Sequence, residues 1–588
     1  MFYFDAKHRA TSYANLRQAF AAKLPPEEIK KITHQFYRSF GCSLIEVFLI
    51  PAIDKKYLDK YSQIDGREHI DEAFKKGKGV IFAAMHSGSW ELSNIICANL
   101  GFKLNFFVRA QKLPRLDKLL NHYRTLKGCK IIERENENRQ LIEALKNNEA
   151  VGITVDQGGK TGVLVKFFGK DASFATGALR LALKYDCALL PAYHARVGNK
   201  IKTIIRPPIV LKKTGNQEED IRQNLQELAG VFEGIIEKYP ADYYWAYKIW
   251  KYSKDRNVLV LSDGKAGHLR QSQTVAGFIG GNIAEVEVKF KGCFGRLRNV
   301  LTPESYKALT SIKPDVIISC GSSLAAVNYL LSRDNLAKSV VIMKPAFLST
   351  RKFDLVIMPE HDCPPKKKNV VAIKGALNLV NEKYLAEQAE MLLSKIPNPN
   401  TTKSQIISKS QIPKKCIGML IGGDSKDFIL RQETVAEAIK QIKQAAESIN
   451  ADILVTTSRR TSKAIEDLIK KEFTNYPRAK FLVIANEKNY PYAVGGILGS
   501  SEIIISSPES ISMVSEAASS KKYVLIFQES GLSKKHSRFL ENLAKENYIY
   551  LTDAQNLAQK IKEITQNHPE IKTLDNNSKI NEYLTNIT

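Results

Sequence analysis

Short apolar runs alternate with longer amphipathic stretches along most of the chain. Residues 1–78 carry apolar positions at three- and four-residue spacing, as in LPPEEIKKITHQFYRSFGCSLIEVFLI. Pro26 stands there at a helix start with acids in the first turn, so this part is expected to be helical. From 79 to 210 the runs GVIFAAM, KLNFFV, CKIIE, AVGITV, ALLPAYHA and KTIIRPPIV are of strand length and are separated by helical stretches. Such alternation predicts a layered α/β domain. A helical EEDIRQNLQELAGVFEGIIEKY and an aromatic ADYYWAYKIWKYSK follow.

A new set begins at 257, where NVLVLSDGKAGH reads as a buried strand, a glycine loop and a helix start. VIISCGSS, SVVIMK, DLVIMPEHD and NVVAIKG continue it. A further set, CIGMLIGGDSK, ADILVTTSRR, KFLVIANEK, EIIISSPES and KYVLIF, follows a segment rich in Pro, Ser, Thr and Lys. Two strand–loop–helix sets predict paired Rossmann-like halves whose ligands bind at strand C-termini. The expected organisation is an α/β domain at 1–253, halves at 256–393 and 416–570, a linker at 394–415 and a tail at 571–588.

At 588 residues the chain exceeds what one core supports, and 44% hydrophobic with 25% charged residues is a globular composition. Lys and Arg number 87 against 61 acids, a net +26. That surface suits anionic partners, although a lysine-rich genome gives the same balance. No RNA-recognition, helix-turn-helix or zinc motif supports nucleic acid as the partner. The eight cysteines show no C-x-x-C and no zinc-finger spacing, so they read as reduced core residues, with no metal or cofactor expected. No run reaches the roughly 18 apolar residues of a membrane span. Charges interrupt the opening residues where a signal peptide would be apolar. The expected place is the cytoplasm or a membrane surface.

The first candidate chemistry is HSGSWE, directly after GVIFAAM. Glu91 follows His86 by five positions, but so does Glu541 after His536, so spacing alone selects nothing. Only the first pair follows a strand, and Ser87, Gly88 and Ser89 are expected to turn the chain into a helix N-terminus that favours negative charge. A histidine beside a carboxylate is a general base with a fixed tautomer. The other reading is a capped helix with a structural histidine.

Further blocks come in order: YANLRQAF, FFVRAQKLPRLDKLLNHYR, VDQGGKTGVLVKFFGKDASFATGALRLALKYDCALLPAY and YPADYYWAYKIWK. With HSGSWE they resemble the late acyltransferases of lipid A synthesis, within the wider glycerolipid acyltransferase superfamily, over about residues 10–252. The resemblance implies His86 as base and Glu91 as its orienting acid. It implies Arg109 at a phosphate or phosphopantetheine arm, and Asp156, Gln157, Phe167, Phe168 and Gly169 in the groove. The implied donor is an acyl carrier protein or CoA thioester, and the acceptor a phosphorylated saccharolipid. Members usually begin with a membrane-spanning helix, which this sequence lacks, so either the start is truncated of that helix or attachment is peripheral; the expected place is the cytoplasmic face of a bacterial inner membrane. Tyr247 stands before Lys248 where the family often has histidine, which bears on acceptor choice.

In the second half, SDGKAGH, PDVIISCGSS, FDLVIMPEHD, IKGALN, LIGGDSK, TTSRRTS and SPESISMVSEA occur in order over about 256–545. They resemble the elongated-mitochondria fission protein family, which is similar to two-domain GT-B glycosyltransferases. That likeness implies a nucleotide-sugar site. Ser510, Ser512 and nearby amides would hold a diphosphate, Glu516 the ribose, and Ser458, Arg459 and Arg460 the phosphate charge. Gly422 and Gly423 would admit the donor. Asp263, Lys265 and His268 would form the opposite lip, with His268 as an acceptor base. Two other readings stay open: a non-catalytic localisation module in the second half, or a basic scaffold for anionic lipid throughout.

Overall fold

The computed structural model describes residues 2–107, 113–126, 128–132, 137–292, 300–395, 415–425 and 428–587. The chain divides into two units. One is Met1–Asn257 with Pro303–Asp315 and Arg333–Ala337, and the other is Val258–Thr302 with Val316–Ser332 and Lys338–Thr588.

The first unit is built on a seven-stranded sheet and a separate hairpin. In chain order its strands are β1 (Ser62–Asp65), β2 (Val80–Ala84), β3 (Leu104–Phe107), β4 (Lys130–Ile132), β5 (Ala150–Thr154), β6 (Val163–Phe167), β7 (Lys170–Phe174), β8 (Ala188–Val197) and β9 (Lys200–Ile205). The sheet order is β1-β9-β8-β2-β5-β3-β4, while β6 and β7 form the hairpin. Pairing in the sheet is parallel except between β8 and β9. Central β2 is covered on both faces, which is why it reads as the unbroken apolar run VIFAA. Its side chains alternate between two cores. Ile81 and Ala83 pack with Leu16, Phe36 and Phe232, whereas Val80 and Phe82 pack with Ile70 and Ala73.

The second unit contains two six-stranded sheets. The first comprises β10 (Asn257–Ser262), β11 (Asn282–Glu287), β12 (Val316–Cys320), β13 (Lys338–Ile342), β14 (Leu355–Pro359) and β15 (Val370–Ile373), in the order β11-β10-β12-β13-β14-β15. The second comprises β16 (Cys416–Ile421), β17 (Asp452–Thr457), β18 (Ala479–Val483), β19 (Ile503–Ser506), β20 (Tyr523–Phe527) and β21 (Tyr550–Thr552), in the order β18-β17-β16-β19-β20-β21. The ladders from β10 through β12 to β15 are parallel, as are all those of the second sheet. Strand order reverses between β10 and β12, and again between β16 and β19. These are the switch points at which open α/β sheets leave a crevice for ligands.

The mixed α/β architecture with two Rossmann-like sheets follows the run pattern. Polar β1, edge strand β11 and short β21 lack a strand-like apolar run, while the β6 run VLVKF lies outside the expected strands. Of the segment expected as a linker, residues 396–414 lie outside the described residues. The segment expected as a tail instead holds a helix, Asn577–Ile587, whose Ile580 and Leu584 are buried with Val258, Val260 and Ile373. Its apolar positions recur at helical spacing, so it returns to complete the core of the first sheet. Ile580→Ala should therefore destabilise the second unit by about 2–4 kcal/mol, read as an earlier denaturant transition. An unchanged midpoint would contradict this packing.

Candidate active site

The β2–β5 ladder runs from Val80↔Ala150 to Ala84↔Thr154. Continued past the strand ends, the same offset brings His86 beside Asp156. His86 Nδ1 lies 2.8 Å from Asp156 Oδ1, and the His86 backbone N–H donates to Oδ2 at 3.3 Å. The Asp156 side chain is 2% exposed and that of His86 25%. A buried carboxylate thus fixes the Nδ1–H tautomer of a ring that solvent and ligands reach, leaving the Nε2 lone pair for a proton. Gln157 Nε2 flanks the same ring nitrogen at 3.3 Å. Burial disfavours the imidazolium. The charge and hydrogen bond of Asp156, helped by the charge of Glu91, outweigh it and raise the His86 pKa above its ordinary value.

Glu91 is not the residue that orients His86. It lies in the short turn Trp90–Leu92 and faces the helix Pro114–Thr125. There it takes two hydrogen bonds from Arg124, Nε to Oε2 at 2.8 Å and Nη2 to Oε1 at 2.6 Å. The Ser87–Ser89 turn is likewise not an open anion site at Gly88. Its amide donates to the Asp242 carbonyl at 2.8 Å, and the His86 carbonyl accepts from the Tyr244 amide at 2.9 Å. The aromatic block after 240 therefore staples the turn in place. Ser89 Oγ donates to the Glu46 carboxylate, and Arg196 Nη2 bonds both Glu46 oxygens, at 2.7 and 2.8 Å, and Ser89 Oγ at 3.0 Å. Arg124, Asp242, Arg196 and Glu46 escaped the sequence reading. Glu46 left a signal, as the lone acid within the apolar SLIEVFLI.

Arg109 lies outside the described residues. Phe168 and Gly169 do not line the groove. They are the two-residue tip of the β6–β7 hairpin, with φ of 48° and 74°, the left-handed pair that a type I′ turn demands. The Phe168 ring packs on Phe20 and Trp245, with centroids 5.4 and 6.2 Å away, and Phe167 is fully buried in the core.

His86, Gln157, Glu91 and Arg124 open onto a cavity of about 1350 Å³. Alternate residues of the sheet make its floor: Phe82 and Ala84, Leu104 and Phe106, Ala192 and His194. They share one face because strand side chains repeat every second residue. Small residues leave the space, among them Gly152 of β5. His194 is buried in this wall between Ser93 Oγ at 2.8 Å and Thr203 Oγ1 at 3.1 Å, and burial pushes its pKa down to about 4, so it stays neutral.

In the second unit the expected residues all fall at or just beyond strand C-termini. Asp263, Lys265 and His268 follow β10, and His268 Nδ1 is 3.0 Å from Asp263 Oδ2. Gly422 and Gly423 follow β16, but their amides are already used, donating to Ser507 Oγ at 2.8 Å and Glu509 Oε1 at 2.7 Å. A Cβ on Gly422 would lie 1.7 Å from that carboxylate oxygen, and one on Gly423 2.1 Å from the Arg460 carbonyl. Internal packing, not donor access, demands glycine here. After β17, Ser458 Oγ accepts from the Arg460 amide at 3.1 Å, while Arg459 and Arg460 are exposed. Ser510 precedes the helix Ile511–Ala518 without capping it, and Ser512 is exposed in its first turn. Glu516 lies 3.9 Å from Arg270 of the first lobe.

Residues 1–252 match the model of the bacterial lipid A biosynthesis acyltransferase family, and residues 266–582 that of mitochondrial fission ELM1. An uncharacterized protein of Rickettsia prowazekii, RP120, is 27% identical over 322 residues, 49% of this chain and 88% of that one. A phosphatidylinositol mannoside acyltransferase of Mycobacterium tuberculosis is 27% identical over 219 residues, covering 36% of this chain and 68% of its own. A lipid A biosynthesis acyltransferase of Haemophilus influenzae is 23% identical over 254 residues, 42% of this chain and 77% of that one. Among solved structures, a UDP-GlcNAc 2-epimerase from Neisseria meningitidis aligns with 56% of this chain and 98% of its own at 12% identity and a TM-score of 0.34. MurG of Acinetobacter baumannii aligns with 56% and 93%, at 12% identity and a TM-score of 0.30. With more than half its length matched, the chain belongs to the mitochondrial fission ELM1 family, and its first 252 residues are an acyltransferase domain of the bacterial lipid A biosynthesis type.

Proposed function

We propose that the first unit moves a fatty acyl chain from an acyl carrier protein or CoA thioester to a hydroxyl of a phosphorylated saccharolipid. The observation that carries this reading is the His86–Asp156 pair at the mouth of a largely apolar cavity. The acyl chain lies in the cavity and gains from leaving water. His86 Nε2 takes the proton of the acceptor hydroxyl as its oxygen attacks the thioester carbonyl. The carbon–sulfur bond then breaks, and the imidazolium returns the proton to the leaving thiolate. Asp156 supports the transient cation without moving the proton itself.

Charge and surface support the proposed partners. A net +26 draws an acidic carrier protein and an anionic membrane surface. Leu44, Phe48 and Leu116 line the cavity and are also exposed, with Ile45 and Leu113 exposed beside them. An apolar rim of this kind suits peripheral docking on a bilayer, here the cytoplasmic face of a bacterial inner membrane. Among the described residues no helix is long and apolar enough to cross a membrane. For the second unit we propose a nucleotide-sugar site at the switch points, with the exposed Arg459 and Arg460 neutralising the diphosphate.

Incubating the protein with acyl carrier protein thioesters and a tetra-acylated lipid A precursor or a phosphatidylinositol mannoside should add the mass of one acyl chain. A folded His86→Ala should lose about 10²–10⁴-fold in rate, and equal rates would sink the assignment. Because the base works as neutral imidazole and its pKa is raised, activity should rise with pH through a limb above the ordinary histidine range, near 6.5. Asp156→Asn should shift that limb to lower pH and depress kcat, with a smaller displacement for Glu91→Gln. A limb that Asp156→Asn leaves in place would contradict the pairing. Gly152→Leu should fill the cavity and move donor preference to shorter chains. Each excluded methylene costs about 0.8 kcal/mol, or about fourfold in kcat/KM. An unaltered ladder of chain lengths would place the acyl chain elsewhere.

A further inference from the structure

His194 is a buried histidine in the wall of the cavity that the acyl-transfer steps leave unused. The β2–β8 ladder ends at Ala84↔Ala192. The same offset, continued, sets His194 beside His86. The His194 backbone N–H donates to Ser87 Oγ at 3.0 Å, and a Cβ on Gly88 would meet the His194 carbonyl at 2.5 Å. The turn that carries the base is thus pressed against this residue. Adjacent strands stand about 4.8 Å apart, which puts His194 next to the reacting end of the acyl chain. Of the described residues that β2, β3, β8 and β9 present to the cavity, only His194 and Thr203 are polar. Ser93, which opens the helix Ser93–Asn99, joins them there. A floor for a saturated chain gains nothing from such groups, because polar atoms under apolar contact cost free energy.

The hydrogen bonds fix where each proton lies. Ser93 Oγ is 2.5 Å from the Trp90 carbonyl, which can only accept, so the Ser93 proton points there. Ser93 Oγ then accepts from His194 Nε2–H at 2.8 Å. Burial keeps the ring neutral, so its other nitrogen is bare, and Nδ1 accepts the Thr203 hydroxyl proton at 3.1 Å. Every proton of the three side chains' polar ends is spent within this chain of bonds. Thr203 Oγ1 keeps two lone pairs and Ser93 Oγ one, and among the described residues no further donor reaches either oxygen. The patch offers acceptors and no donor. Its complement is a group that brings a proton.

We propose that Ser93, His194 and Thr203 select an acyl donor that bears a hydroxyl close to its thioester, a 3-hydroxyacyl chain. This rests on the acyltransferase reading of the first unit given above. The hydroxyl of such a chain donates to Thr203 Oγ1 or Ser93 Oγ, whose lone pairs face the cavity. A saturated chain leaves those oxygens against methylenes. A 3-oxo chain brings only another lone pair, which the patch repels. The three residues set specificity and take no part in moving the acceptor proton, which stays with His86.

The full chain is given equal amounts of 3-hydroxytetradecanoyl, 3-oxotetradecanoyl and tetradecanoyl acyl carrier protein. A tetra-acylated lipid A precursor and a phosphatidylinositol mannoside serve in turn as acceptor. Product masses then read the ratios of kcat/KM directly. The 3-hydroxy product should exceed the saturated one by about five- to tenfold, the worth of one net hydrogen bond, and the 3-oxo product should be the least. The double variant His194→Phe/Thr203→Val puts apolar groups of similar size in place of the ring and the hydroxyl. It should bring the first ratio close to one. Equal use of 3-hydroxy and saturated chains by the unaltered protein would overturn the proposal, whether or not the variant folds. So would a preference that the folded double variant keeps. A preference for the 3-oxo chain would mean that the patch donates, and would overturn the proton arrangement. No transfer from any of the three donors to either acceptor would overturn the acyltransferase reading itself.

Discussion

A parallel ladder holds β2 against β5 with a constant offset, and the two strands leave the sheet in step. That register is what makes His86 and Asp156, 70 residues apart in sequence, neighbours at 2.8 Å. Parallel pairing cannot be made by local turns, so the site depends on a crossover that buries both faces of the sheet. The ladder between β2 and β8 adds the other wall, from Val80↔Ala188 to Ala84↔Ala192, and brings His194 beside Ser87. Slipping either strand by one residue would turn the cavity floor into core and the core into cavity.

Charge is partitioned around this point. His86 keeps a single buried carboxylate, while Glu91 is neutralised by Arg124 and Glu46 by Arg196. Three pairs, each with its own partner, keep the site's charges in fixed geometry instead of competing for the imidazole. The Glu46–Arg196 pair also holds Ser89, so the helix Pro26–Leu49 is tied to the turn that carries His86. Removing one partner of such a buried pair leaves an uncompensated charge, the costly case for stability.

Much of the fold was legible because strands buried on both faces read as bare apolar runs, as VIFAA, VIISC and YVLIF do. Half-exposed NIAEVE and polar SQID were not, because one face of an edge strand resembles a loop. At the site, strand-to-turn punctuation exposed His86, and the block VDQGG drew attention to Asp156. The partnership between them was invisible, because it is set by strand register and not by spacing along the chain. The H-x₄-E pattern pointed to Glu91, where a short turn directs the acid to a different helix. The same limitation hid the links of Gly422 and Gly423 with Ser507 and Glu509, which cross from one strand end to another.

The tautomer of His86 decides whether Asp156 orients the ring. Nitrogen-15 NMR of histidine-labelled protein above the imidazole pKa should find the proton on Nδ1 and a bare Nε2, with the signal assigned by its loss in His86→Ala. A proton on Nε2 would mean that Asp156 does not hold the ring. His86 could not then accept a hydroxyl proton at the cavity mouth, and it would not be the base of the first site.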